Sequence, residues 1–169
     1  MGVLALQPPG GDPDRAVDSA RAAIAGADLI IAAARSRDET PILEGAWLKP
    51  GTLVTSIGST LPEQFEVDSE VIRRAELIVA DVPEEVVHET GDMLAARAAG
   101  VDFESRIVAL ADVVQGRRAV RQRTDNIVLF KSVGSGLQDI AVAEMCFEKA
   151  RERGVGTALP VGLSVKGKK

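Results

Sequence analysis

Four short, uninterrupted apolar runs, three of them followed by a segment of helical periodicity, constrain this chain more than any other feature. Leu29-Ile30-Ile31-Ala32-Ala33, Leu53-Val54-Thr55-Ser56-Ile57, Leu77-Ile78-Val79-Ala80 and Ile127-Val128-Leu129-Phe130 read as strands. Continuous apolarity is typical of strands buried on both faces of a parallel sheet. Helical patterns precede the first run and follow the other three. One opens at Asp12-Pro13, a capping residue followed by proline in the first turn, and stops at Gly26, with Ala16, Val17, Ala20, Ala23 and Ile24 on one face. Others run over 69–75, over 83–99 with a break near Gly91, over 107–114 and over 135–153, and Pro50-Gly51-Thr52 marks a turn. Strands alternating with helices predict an α/β fold with a parallel sheet. The Gly- and Pro-rich residues 1–11 read as a disordered or truncated start. In such sheets ligands bind beyond the carboxyl ends of the strands. That rule points to Ala34-Arg35-Ser36, Gly58-Ser59-Thr60, Asp81 and Ser132-Val133-Gly134.

Composition narrows the function classes. A length of 169 residues suits one domain with a real core. The net charge of −5 argues against nucleic-acid binding, and the basic runs at 117–123 and 166–169 fall in polar, loop-like stretches that read as solvated surface. No apolar run approaches the roughly 20 residues of a membrane span. The first 14 residues lack a secretory pattern, and a single cysteine permits no internal disulfide, so a cytoplasmic setting is expected. Cys146 sits within an apolar helical pattern and reads as core. His88 has no CxxC or HxxxH partner, so no metal site is expected. Tyrosine is absent, and acid–base chemistry would fall to Asp, Glu, Lys or water.

The strand ends also carry a resemblance. Gly26-Ala27-Asp28-Leu29-Ile30-Ile31 with Trp47-Leu48-Lys49-Pro50-Gly51-Thr52, then Ser56-Ile57-Gly58-Ser59 with Pro62 and Glu66, form its first half. Glu89-Thr90-Gly91-Asp92-Met93-Leu94, and Phe130-Lys131-Ser132-Val133-Gly134 with Leu137, Asp139 and Ala141, complete it. In order and spacing, over about residues 16–156, these resemble the ornithine cyclodeaminase/mu-crystallin family. The resemblance implies a Rossmann-like parallel sheet, of which residues 12–133 form the later half. It also implies that 134–169 hold a return helix and the tail of a dimerisation and substrate domain. It further implies NAD or NADP as cofactor, a small amino or imino acid as substrate, and a homodimer formed through the last helix.

By the same resemblance Ala34, Ile57, Gly58, Ser59 and Ser132 contact the cofactor, and Val133 the substrate. Ala34 stands where relatives have a cofactor-contacting Thr, which leaves it only a backbone contact. Thr60 stands at the position of the family's catalytic aspartate, and a hydroxyl cannot take a proton near neutral pH as a carboxylate does. No GxGxxG or GxGxxA precedes the first apolar run, so the turn that brings a backbone up to a pyrophosphate is absent from the sequence. Ketimine reduction or amino-acid oxidation is therefore expected in preference to ornithine cyclodeamination. The alternative is a non-catalytic, mu-crystallin-like ligand-binding protein or subunit. Plainer roles stand beside these: Ser132 as a helix cap, Gly58 as a turn residue, Asp81 as the cap of the helix at Pro83, and Lys131, Glu89 and Asp92 as exposed charges.

Overall fold

The computed structural model describes residues 3–6, 16–120 and 123–157. Two compact units divide the chain, Met1–Gly134 and Ser135–Lys169. The first holds a six-stranded sheet of β1 (Val3–Leu6), β2 (Leu29–Ala32), β3 (Leu53–Ser56), β4 (Ala75–Ala80), β5 (Ile107–Ala109) and β6 (Ile127–Lys131). Its order is β1-β2-β3-β6-β4-β5, with β2 to β5 parallel throughout and β1 antiparallel on the β2 edge. The expected α/β class with a parallel sheet is what forms.

The helices follow their local signals. In α1 (Ala20–Ile24), the hydroxyl of Ser19 accepts from the Ala22 amide at 3.2 Å. In α2 (Ser69–Arg74), Asp68 caps the Val71 amide at 2.9 Å. The expected break at Gly91 separates α3 (Pro83–Glu89) from α4 (Gly91–Ala98). There a Cβ would run into the carbonyl oxygens of Pro62 and Gln64, so only glycine lets α4 approach that loop. The helix expected to open at Asp12-Pro13, with Ala16 and Val17 on its face, begins instead at Ala20 with Ser19 as its cap; Asp12, Pro13 and the basic tail lie outside the described residues.

Other expectations give way. Ile107–Ala109, expected as helix, is strand β5, and only α5 (Leu110–Val114) is helical. Ile107 and Val108 pair with Ile78 and Val79 of β4, where β-branched side chains pack well and β4 finds partners for its outer backbone groups. Val3–Leu6, expected within a disordered or truncated start, pairs with β2. Lastly, β2 and β3 are not buried on both faces: Ile30, Ala32, Val54 and Ser56 are buried, while their alternate neighbours are half-exposed. One face carries the main core of Ile30, Val54, Val71, Ile72, Ile78, Met93, Phe103 and Leu129. Alternate residues point to opposite faces, and there Val79, Val108 and Val128 form a smaller cluster with Leu110 and Val113 of α5.

The second unit holds α6 (Gly136–Glu152), capped by the Ser135 hydroxyl, which accepts from the Gln138 amide. No α6 residue is buried. Cys146, expected in a core, is exposed, because nothing in this unit covers the apolar flank on which it lies.

Candidate functional site at the strand carboxyl ends

Parallel pairing aligns Ala32, Ser56, Lys131 and Ala80 in one row, and the segments just beyond them share one edge of the sheet. Two buried polar clusters organise that edge.

The first is centred on Lys131, the last residue of β6, whose side chain has no exposed surface. Its Nζ lies 2.8 Å from Asp92 Oδ2 of α4, an ion pair buried at both ends. It also donates to the Ser59 carbonyl at 2.8 Å and to Ser56 Oγ at 3.0 Å. Ser56 in turn donates to Glu66 Oε2 at 2.6 Å. Glu66 accepts the Gly58 amide on Oε2 and the Ala34 amide on Oε1, each at 2.9 Å. Asp92 Oδ1 takes the amides of Glu66 and Val67 at 2.8 and 3.2 Å. The expectation that Lys131 and Asp92 are exposed charges is therefore corrected. A central strand's end is roofed by the 58–66 loop and by α4, and a charge left there must be paired. Glu89 is exposed, as expected.

The second cluster is centred on Asp81. Its carboxylate accepts the Ser132 hydroxyl at 2.6 Å and the amides of Val82, Val133 and Gly134 at 2.8, 3.1 and 2.9 Å. Burial pushes its pKa up, but the Ser132 hydroxyl and these amides outweigh that and hold it below the ordinary carboxylate value. Asp81 was expected to cap the helix at Pro83. The N-cap residue of α3 is Val82, without a side-chain bond, and the carboxylate instead fastens the turn after β6.

Thr60 follows Ser59 in the same loop, half-buried. Gln64 Oε1 accepts its amide at 2.9 Å and its hydroxyl at 3.3 Å, together with the Leu61 amide at 3.2 Å. Ile57 is 44% exposed at the end of β3, and Val133 is half-buried at the end of β6. Of the residues singled out in the sequence, Ala34, Gly58, Ser59 and Ser132 enter the two clusters, and Ile57, Thr60 and Val133 lie on the same loops. The Trp47 to Thr52 stretch does not join them. Lys49 bonds the Gly26 carbonyl and Asp28 at 2.6 and 2.7 Å, and the Leu53 amide bonds the Asp28 carbonyl, all at the amino ends of the strands.

A dinucleotide asks for flat apolar surface for its rings and for free amides at its pyrophosphate. Exposed Ala33 and Ile57 and half-buried Val133 fit the first need. The amides of Ala34, Gly58 and Gly134 do not meet the second, since they already serve Glu66 and Asp81. No cluster of metal-binding side chains occurs among the described residues.

The profile of the ornithine cyclodeaminase/mu-crystallin family matches residues 11–154. The chain belongs to this family. Delta(1)-pyrroline-2-carboxylate reductase of Bacillus cereus is 35% identical over 147 residues, which is 86% of this chain and 44% of that protein. The Thermococcus litoralis Delta(1)-pyrroline-2-carboxylate reductase, solved with NADH and L-proline, is 38% identical with a TM-score of 0.74, covering 85% of this chain and 44% of that one. An archaeal alanine dehydrogenase dimer with bound NAD is 28% identical with a TM-score of 0.69, covering 84% and 43%. The chain spans less than half the length of these family members.

Lys131, Asp92 and Glu66 all lie in family motifs but were not read as a cluster. The available signal was a lysine closing an otherwise apolar central strand, which invites a search for a buried carboxylate partner.

Proposed function

We propose that this chain supplies the ring and substrate end of an NAD- or NADP-dependent oxidoreductase acting on a small amino acid or its imine. Ketimine reduction or amino-acid oxidation is the reaction, rather than ornithine cyclodeamination. The observation that carries this reading is Thr60 on the strand-end edge, its hydroxyl turned to the Gln64 amide oxygen, where a cyclodeaminase would need a carboxylate. A bound nicotinamide would give or take hydride at the substrate's α-carbon. Ile57 and Val133 offer it apolar surface, while Ser132 ties the β6 turn to the β4 end through its hydroxyl on Asp81 and to the β3 end through its amide on the Ser56 carbonyl. An imine that arrives protonated needs only hydride to become an amine, so a hydroxyl at position 60 suffices for reduction.

A mu-crystallin-like protein that binds a small ligand without turning it over is the second reading. It is favoured by the engagement of Glu66, Asp81, Asp92 and Lys131 with protein groups rather than with open solvent. In either case α6 exposes Leu137, Ile140, Val142, Met145 and Phe147, an apolar surface suited to a second copy of the chain. No helix among the described residues is long and apolar enough to cross a membrane.

The test is an assay with NADH or NADPH against Delta(1)-pyrroline-2-carboxylate, and separately against ornithine with NAD. Cofactor oxidation with the imine and no ammonia from ornithine is expected. Thr60→Asp should raise ornithine turnover, by as much as about a hundredfold to ten-thousandfold if the carboxylate alone is lacking. Rapid formation of proline and ammonia by the unaltered protein would refute the reading.

A further inference from the structure

Glu66 lies in the loop leaving β3, has no exposed surface, and yet carries a carboxylate. Removing such a charge from water is unfavourable unless polar partners replace the water, and an uncharged side chain would fill the same volume more cheaply. Its partners come from three separate places: the Ala34 amide beyond β2, the Ser56 hydroxyl at the end of β3, and the Gly58 amide in the turn after it. The approach at Gly58 is so close that a Cβ there would meet both the carboxylate and the Ala34 amide. The loop is held from behind as well, because the Glu66 amide bonds Asp92, which pairs with Lys131, which bonds Ser56 and the Ser59 carbonyl.

We propose that Glu66 is a positioning residue: its carboxylate locks the outgoing turns of β2 and β3 together, so that exposed Ile57, backed by buried Ser59, holds the surface facing the nicotinamide ring and the imine. The ligand part of this rests on the dinucleotide reading above; the lock itself does not. The charged groups packed around Glu66 are Lys131 from β6 and Asp92 from α4, while β2 and β3 present amides and the Ser56 hydroxyl. Burial pushes its carboxyl up in pKa, and Ser56, Gly58, Lys131 and Ala34 offset this only in part. A raised value means that its contribution to stability is fullest below the ordinary carboxylate range and is lost as pH rises through the raised value. The ionised group therefore holds the turns at a cost in stability, the reverse of what a purely structural residue does.

Amide NMR on the full chain tests this, with Glu66→Gln and Ser56→Ala as variants and NADH fluorescence titration alongside. The Ala34 and Gly58 amides should share one inflection above the ordinary carboxylate range, absent in Glu66→Gln and kept in Ser56→Ala. Glu66→Gln should shift the Ile57–Ser59 resonances, spare those of β5, and weaken NADH binding about tenfold, the scale of one charge-assisted contact. Should Glu66→Gln fail to fold, the shared inflection in the unaltered chain and in Ser56→Ala still decides. Ala34 and Gly58 amides that titrate independently would overturn the lock. So would a folded Glu66→Gln with unmoved Ile57–Ser59 resonances and unchanged NADH affinity. If the unaltered chain shows the shared inflection but binds no NADH, the lock stands and the dinucleotide reading falls.

Discussion

At the residue scale, the same chemical group takes opposite roles at this edge according to what surrounds it. Asp81 and Glu66 are both carboxylates at strand ends. Asp81 gathers three amides and a hydroxyl in a half-buried turn, and these overcome burial to lower its pKa. Glu66 is more deeply covered, and burial wins. A lowered folded-state pKa contributes stability that is present above the unfolded value, about 4, and is lost as pH falls through the folded one. Asp81→Asn should therefore cost most near neutral pH, and the gap to the unaltered protein should close in acid. Thermal melts from about pH 7 down to about pH 3 would show this, whereas a gap constant across that range would mean that ionisation of Asp81 contributes nothing.

At the element scale, the long-range plan was legible and the short pieces were not. The runs at 29–33, 53–57, 77–80 and 127–130 became β2, β3, β4 and β6 because a central parallel strand leaves little room for polar side chains. β5 was missed because its three residues run straight into α5, and only the open edge of β4 makes them a strand. The half-exposure of β2 and β3 was also hidden, since an apolar run does not say whether a helix covers its second face. For the site, the parallel-sheet rule located the edge from sequence. The Lys131–Asp92 pair escaped, because its partners are distant in sequence and each residue type is ordinarily solvated. In α6, 77% exposure of Leu137 and 62% of Phe147 is unusual for side chains so apolar. If this helix meets a second copy, replacing Leu137 and Phe147 together with Glu should return the chain to a monomer by light scattering while leaving the sheet's spectrum intact. A chain that is already monomeric and unaffected by the replacement would remove α6 from consideration.

At the scale of the whole molecule, the account joins a parallel sheet to a reactive edge. Strand direction brings Ala34, Ile57–Thr60, Asp81 and Ser132–Gly134 to one side, and the buried Lys131–Asp92 pair, Glu66 and Asp81 set their turns; on the function proposed above, Thr60 would leave hydride transfer without a carboxylate base. At the sheet's amino ends Lys49 pairs with Asp28. The central claim is that the ring of a nicotinamide cofactor rests on the carboxyl edge. Magnetisation transfer from NADH to the methyl groups of the full chain measures this most directly, since it detects weak binding and identifies which end of the ligand touches which residue. Transfer from the nicotinamide ring protons to the Ile57 and Val133 methyls, with little from the adenine protons, is the result predicted. Absence of transfer to these methyls, or transfer to side chains at the amino ends such as Leu48, would contradict the account.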